Sequence, residues 1–491
     1  MVKTQEKNLK SEYDAIIIGA GIAGLTCGNY LAKAGLNVLI AEKHYIAGGY
    51  CSSFKKKGFY FDAAAHYLSS CRERGQVGRL LRDHQLDGQL ELMRSDPSDV
   101  VLTSDRCVQI RTKFSELISE FQRHFPKEAT RIREFFKFMR DTDALTLYVT
   151  LKSKTFAEVL DGYFSDRKLK GVISILLGNI GLPSTRASAL SGVFLFREFV
   201  FDGGYYPKGG MQSFVDILVG RFQKYGGTIS FLTPITSVVV KHGLVQGVRI
   251  RDQLIRTRHI VATCDPHQLF SMLAPPESLN GYSEKVLHGM EPSISAFMIH
   301  IGTKKSIKEQ VLHKCCVWYY PDYDIDACYL DWVKGKPNFT RGFVFASFPS
   351  FHDHNLAPPG KDSLQLIVGS PFMTREYWKQ YSEAVSQKVI KHAESFIPNL
   401  SNNIEVQYVA TPMTLVKYTG NYQGAMYGWA STPTQVGEGR FPETTPITGL
   451  LLAGHWAGPP AGQGGIPMVV YSGRSVASRV LREKRPSPLF L

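Results

Sequence analysis

The sequence predicts an α/β fold in which one domain is assembled from three separated segments and a mixed α+β domain is inserted between them. Three observations lead there. Residues 13–42 hold an apolar run, a glycine-rich turn, a helix-like stretch and a second apolar run. Residues 227–263 carry several short β-type runs punctuated by Gly and Pro. A third strand–turn–helix pattern follows late in the chain, GLLLAG at 449–454 and helical spacing from Tyr471 to Glu483. The shifts in character between these blocks place 1–75, 200–290 and 430–491 in the first domain, and 76–199 and 291–429 in the second. A length of 491 residues accommodates both around a large core.

Each element follows from its residues. YDAIII (13–18) is a buried parallel-type strand, Leu25 to Ala34 a helix closed by Gly35, and NVLIAE (37–42) a second strand. Residues 75–200 read as mostly helical. Phe114, Leu117, Ile118, Phe121 and Phe125 keep helical spacing until Pro126 ends it. Ile132, Phe135, Phe136 and Met139 form a second stripe beside Arg131, Arg133, Lys137 and Arg140. That stripe has two readings, a core-facing helix or a basic helix lying on a membrane. The runs TISFLTPITSVVV, LVQGVRI and HIVAT within 227–263 suggest antiparallel or mixed pairing. Residues 290–430 mix strands with aromatics such as CVWYYPDY (315–323).

Composition narrows the function. The charge is +14, from 57 basic and 43 acidic residues, but the basic residues are scattered and nucleic acid is not an expected partner. Lys55-Lys56-Lys57 is a short run read as a solvated loop tip, with attraction to an anionic membrane as the functional alternative. The eight cysteines show no CxxC spacing, so free thiols in a reducing compartment are expected and no metal site is. No run reaches the roughly 18 apolar residues of a membrane helix, and the first residues lack a signal-peptide core. HExxH and G-x-x-x-x-G-K-[ST] are absent, which removes support for zinc hydrolysis and nucleotide triphosphatases.

The chemistry-bearing motif is Gly19-Ala20-Gly21-Ile22-Ala23-Gly24. Gly19 permits the tight strand-to-helix turn, Gly21 lets backbone approach a pyrophosphate, and Gly24 lets helix and strand pack closely. The helix start supplies unpaired N–H groups for the anion. Glu42, followed by Lys43, ends the next strand 18 positions after Gly24, where a carboxylate accepts ribose hydroxyls. A Rossmann-type dinucleotide-binding unit is the result. Gly48-Gly49 adds a second close backbone approach six residues later, which suits a dinucleotide with two more groups to pass. No second GxGxxG is present for NAD(P)H. Oxygen, a quinone or a separate reductase therefore remain open as electron partners.

The stretch GAGIAGLTCGNYLAKAGLNVLIAEKHYIAGG resembles the opening of flavin amine oxidases, protoporphyrinogen oxidases and carotenoid desaturases. GGYYPKGGMQSFVDILVGRFQKYGGTI (203–229), PITSVVV (234–240), TPMTLVKYTGNYQGAMYGW (411–429) and GLLLAGHWAGPPAGQGGIPMVVYSGRSVA (449–477) are similar to carotenoid desaturases and isomerases. FDAAAHYL (61–68) resembles retinol saturases more closely. The resemblance spans the chain in order. It implies FAD held by Gly19, Gly21, Ile22, Ala23, Gly24, Glu42, Lys43, Gly48 and Gly49. It also implies Ile235 at the adenine, Gly454 near the pyrophosphate, and Gly465, Ile466 and Pro467 near the isoalloxazine. The sequence departs from the pattern twice, with Tyr50 where the family carries an arginine and His455 where it often carries a small or acidic residue. His66, Lys417 (beside Tyr418) and His455 are the candidate catalytic groups, each with a structural alternative. Asp265-Pro266 reads as a turn.

The implied activity is FAD-dependent desaturation or cis–trans isomerisation of a carotenoid-like polyene, with hydride exchange at flavin N5. A retinol-saturase-type reductase is one alternative. Others are an amine or porphyrinogen oxidase, and a non-catalytic prenyl-lipid carrier of the same fold. The substrate is expected to be a hydrophobic isoprenoid collected by peripheral contact with the cytoplasmic side of a membrane. The 131–140 helix and the apolar residues Leu489, Phe490 and Leu491 are the expected contacts.

Overall fold

The computed structural model describes residues 9–274, 289–335, 337–339, 342–458 and 465–484. Leu489, Phe490 and Leu491 lie outside them.

Strand β1 (Ala15–Ile18) runs through the motif turn into helix α1 (Ile22–Lys33) and on to strand β2 (Val38–Ala41). The helix starts three residues earlier than its apolar spacing indicates, because Ile22 to Gly24 already have helical backbone. Gly35 takes φ +85° just past the helix end, the left-handed stop its sequence suggested. β1 pairs in parallel with β2 on one side and with His259–Ala262 on the other. Leu450–Leu452 and Thr228–Ser230 complete a five-stranded parallel sheet at its two edges.

Both faces of that sheet are covered, which is why its strands read as continuous apolar runs. Ala15 and Ile17 pack under α1, the Met211–Lys224 helix and the Ile466–Lys484 helix. Ile16 and Ile18 point the other way, onto Val238, Val248 and Ile255 of a four-stranded sheet. Residues 227–263 thus divide between two sheets. Their first and last strands join the parallel sheet, and the middle three make antiparallel pairs. The C-terminal helix begins at Ile466, five residues before its expected start.

A seven-stranded mixed sheet forms the second body, in the order 404–410, 295–303, 363–370, 344–347, 316–319, 99–102 and 107–110. Residues 92–110 are therefore stranded inside the region read as mostly helical. One face of the sheet packs on Trp378 and Val389 of the Arg375–Ala393 helix. The other packs on the helices between Phe114 and Val200.

The stripe at 131–140 is corrected here. In the Ala129–Asp141 helix Ile132, Phe135, Phe136 and Met139 are fully buried in this core, so the apolar face is not available to a bilayer. Lys55, Lys56 and Lys57 sit exposed at the tip of the hairpin Ser53–Lys56/Phe59–Asp62, as the loop-tip reading expected. All eight cysteines are free thiols. Among the described residues no helix is long and apolar enough to cross a membrane.

Candidate functional site

A cavity of about 740 Å³ opens between the two bodies. Its floor comes from the carboxyl ends of the parallel strands: Ile18, Glu42, Thr263 and Gly454 each follow or end a different strand and each line it. Ligands of open α/β sheets sit at this edge because crossover loops and helix starts converge there. The opposite wall includes His300, Tyr408 and Val409 of the seven-stranded sheet.

The glycine motif divides its labour as its spacing predicts. Gly19 has φ +102°, and a side chain there would meet the Thr263 hydroxyl. A Cβ at Gly24 would lie 2.2 Å from the Gly19 carbonyl oxygen, so α1 can approach the turn only without one. A Cβ at Gly21 would meet nothing within 4 Å, because this position faces the cavity. The first turn of α1 has no side-chain cap and contains no acidic residue. Its N–H groups form a backbone-lined, electropositive hollow. Gly48 closes it from below: its N–H donates to the Ala20 carbonyl at 2.9 Å, in a bridge that pairs it with Gly21.

Glu42 is rigidly set. One carboxylate oxygen accepts from Ala20 N at 2.7 Å and the other from His44 N at 2.8 Å, while the group still lines the cavity. Gly19, Gly21, Ile22, Ala23, Lys43, Gly48, Gly49, Tyr50, Ile235, Gly454, Gly465, Ile466 and Pro467 line it too. Gly24 does not; it packs behind the turn. The helix starting at Ile466 presents a second N-terminus without an acid in its first turn.

The candidate catalytic groups separate. His66 and His455 both line the cavity, and Lys417 does not. Lys417 is exposed, its ammonium 5.5 Å from the Tyr418 ring centre, because the short 412–419 helix turns it outward. Burial lowers His66 and His455 to about 4, so both imidazoles are neutral at pH 7. Tyr50 is half-buried and pushed up to about 12 by desolvation, and its hydroxyl donates to the Ala425 carbonyl at 2.9 Å. It braces the loop rather than supplying a cation. Asp265 caps the 266–271 helix through His267 N, the turn its sequence suggested.

Two groups were not singled out from the sequence. Asn421 links the wall, donating to Tyr50 Oη at 3.0 Å and accepting from Trp456 Nε1 at 3.1 Å. Its role is purely tertiary and leaves no local signal. His300 lines the cavity from a nine-residue strand that is buried throughout, and its ring is also lowered to about 4 by burial. A lone histidine inside SAFMIHIGT was the available signal.

The comparison with known proteins decides the family. A profile of the flavin-containing amine oxidoreductases matches residues 22–481. The chain belongs to that family. Its cofactor is FAD, and the fold class is the family's α/β architecture. The chloroplastic prolycopene isomerase of Daucus carota is 26% identical over 520 residues, covering 97% of this chain and 82% of that protein. The all-trans-retinol 13,14-reductase of Danio rerio is 22% identical over 472 residues, covering 85% and 77%. An oxidoreductase structure from Methanosarcina mazei aligns with TM-score 0.67 at 17% identity, over 94% of this chain and 99% of that one. A putrescine oxidase variant, redesigned in its cofactor binding, aligns with TM-score 0.66 at 14% identity, over 96% and 99%. The likeness to these two structures extends to the fold alone.

Proposed function

We propose that this flavin amine oxidoreductase acts on a carotenoid-like polyene, by desaturation, saturation or cis–trans isomerisation at the flavin. One observation carries the reading: the cavity that begins at the glycine turn adjoins a smaller space of about 50 Å³ walled by Trp318, Trp332, Phe343 and Phe345. His66, Asn179, Met426 and Tyr427 line both spaces. A polyene in the cavity would meet these aromatic walls at the junction, and the two relatives named above are enzymes of a carotene and a retinoid.

FAD supplies hydride exchange at its N5 when bound. In this reading the α1 N-terminus and Gly21 hold the pyrophosphate, and Glu42 accepts ribose hydroxyls. Ile235 meets the adenine, while Gly454, Gly465, Ile466 and Pro467 border the ring system. Neutral His66, His300 and His455 add no charge to a site that must accept hydrocarbon. Cys51 and Cys264 are held protonated by burial, both pushed up to about 12, and offer no thiolate. Segments 1–75, 200–290 and 430–491 then serve the cofactor and the remainder the substrate. The test is anaerobic incubation of the FAD-loaded protein, oxidised and reduced, with prolycopene, phytoene and all-trans-retinol. Chromatographic conversion of one of them is expected; conversion of a primary amine instead would replace this reading.

An insoluble substrate has to be collected from a bilayer, and with the 131–140 stripe buried we propose the exposed rim of the cavity as the contact. There Lys43 and Lys56 are exposed beside Tyr45 and Tyr418, 61% and 52% exposed, with Lys55 and Lys57 adjacent. Cations with amphipathic rings suit an anionic leaflet. Free thiols favour its cytoplasmic side. Flotation with phosphatidylglycerol vesicles at low salt should carry the protein, and Lys55→Glu/Lys56→Glu/Lys57→Glu should release it. Failure of the unmodified protein to float rejects the contact.

A further inference from the structure

His66 stands at the junction of the two chambers. Of the four junction residues, three have their needs met within the protein. Asn179 accepts from Tyr67 Oη at 2.9 Å and donates to the Leu176 carbonyl at 3.1 Å. Tyr427 donates to the Gly178 carbonyl at 3.1 Å, and Met426 is apolar. His66 is different. Its Nδ1 meets the Ala64 carbonyl at 3.3 Å, while Nε2 is buried without a hydrogen-bond partner.

Two aromatic rings flank the imidazole. Tyr67 packs edge-on with centroids 4.3 Å apart, and Phe345 lies at 4.2 Å from another side. The tautomer follows from the one bond it makes. A carbonyl only accepts, so Nδ1 must carry the proton and donate to Ala64. Nε2 is then a bare lone pair, and burial keeps it unprotonated at neutral pH. A buried acceptor left unmatched is costly, so the molecule that fills the junction is selected for a donor at this point.

We infer that His66 Nε2 accepts a hydrogen bond from a hydroxyl on the substrate, and that the enzyme prefers a polyene alcohol over the corresponding hydrocarbon or carbonyl compound. The inference rests on the polyene reading above and names the substrate class within it. The apolar part of the molecule lies against the Trp318 and Phe345 rings beside the junction. A ketone or aldehyde brings a second acceptor to Nε2 and gains nothing. A hydrocarbon leaves the lone pair dry.

The experiment titrates the FAD holoenzyme with matched probes and reads dissociation constants by fluorescence quenching. The shorter set is all-trans-retinol, all-trans-retinal and the hydrocarbon with the retinol skeleton lacking its oxygen. The longer pair is lycopene and its 1-hydroxy derivative. In at least one set the alcohol should bind about tenfold more tightly than its oxygen-free or carbonyl partner. His66→Phe should erase that preference by weakening the alcohol alone, and His66→Gln, which returns an acceptor, should restore part of it. Flavin content and thermal midpoint of both variants check that they fold; should they not, the comparison on the unmodified protein decides by itself. Equal binding of alcohol and hydrocarbon overturns the inference and leaves the polyene reading standing. Binding of neither set overturns both. A His66→Phe variant that shifts the flavin spectrum or potential while the alcohol preference persists assigns the imidazole to the cofactor, and also overturns it.

Discussion

Gly21 and Gly24 sit three residues apart and answer to opposite constraints, which makes them a clean test at the scale of single residues. Gly21 has φ −70°, a conformation any residue adopts, and an added Cβ points into empty cavity. Gly21→Val should therefore leave the thermal midpoint within a few degrees and abolish flavin retention on gel filtration. Gly24→Ala drives a methyl against the Gly19 carbonyl and should destabilise the fold by about 1–3 kcal/mol, read as an earlier denaturant midpoint. Glu42→Gln turns an amide N–H toward the backbone N–H of Ala20 or His44. It should weaken FAD affinity at least tenfold by equilibrium titration, in line with the roughly 1–3 kcal/mol of an unmatched buried group. These positions were legible in the sequence because backbone clearance and a strand-end carboxylate are encoded by spacing alone. Lys417 lies outside the cavity lining while Tyr418 is in it, since a family-like stretch does not say which side of a short helix each of its residues takes. Asn421 had no local pattern to betray it.

Elements were legible in kind and less so in direction. The Ala129–Asp141 helix formed where its periodicity placed it, but a stripe of Phe and Ile records only that one side avoids water. The neighbouring sheet decides what covers it. Phe135 packs edge-on against Phe164 and Tyr163 at centroid distances of 5.1 and 5.2 Å. Phe135→Ala should cost about 3–5 kcal/mol. Arg133→Glu/Lys137→Glu, both exposed on the outer side, should leave vesicle flotation unchanged. The early starts of α1 and of the C-terminal helix share a cause. Both begin inside glycine-rich segments, where propensity argues against helix and tertiary packing overrides it. The strand region 227–263 hid its division between two sheets because partners for its outer strands lie some 200 residues away in each direction.

At the scale of the whole molecule, buried histidines set the response to acid. His66, His84, His300, His352 and His455 are each lowered from 6.5 to about 4, chiefly by desolvation. The unfolded chain takes protons at these sites first, so stability falls as pH drops from 6.5 toward 4. Asp62 and Asp99 oppose this: burial raises both from 3.8 to about 6, and the folded form takes their protons first as pH falls through that range. Asp202 and Glu443 are raised by burial as well, and the five histidine shifts still outweigh the four carboxyl shifts. The thermal midpoint at pH 5 should lie well below that at pH 7.5, with flavin released in the same interval, as calorimetry and fluorescence can show. The fold class itself was readable because the opening βαβ signal and the closing strand–helix pattern are strong; the seven-stranded sheet was not, because its strands come from two stretches, 99–110 and 295–410, far apart in the chain. That interleaving has a consequence for biogenesis. The glycine turn is made within the first fifty residues, yet Leu450–Leu452 and the Ile466–Lys484 helix that complete its surroundings are among the last parts of the described chain to be synthesised. A nascent chain stopped near residue 440 would carry every early signature of a flavoprotein and hold no flavin. Loading thus waits for residues 450–484 to be made, and until then the nascent chain carries a half-built, apolar-lined cavity.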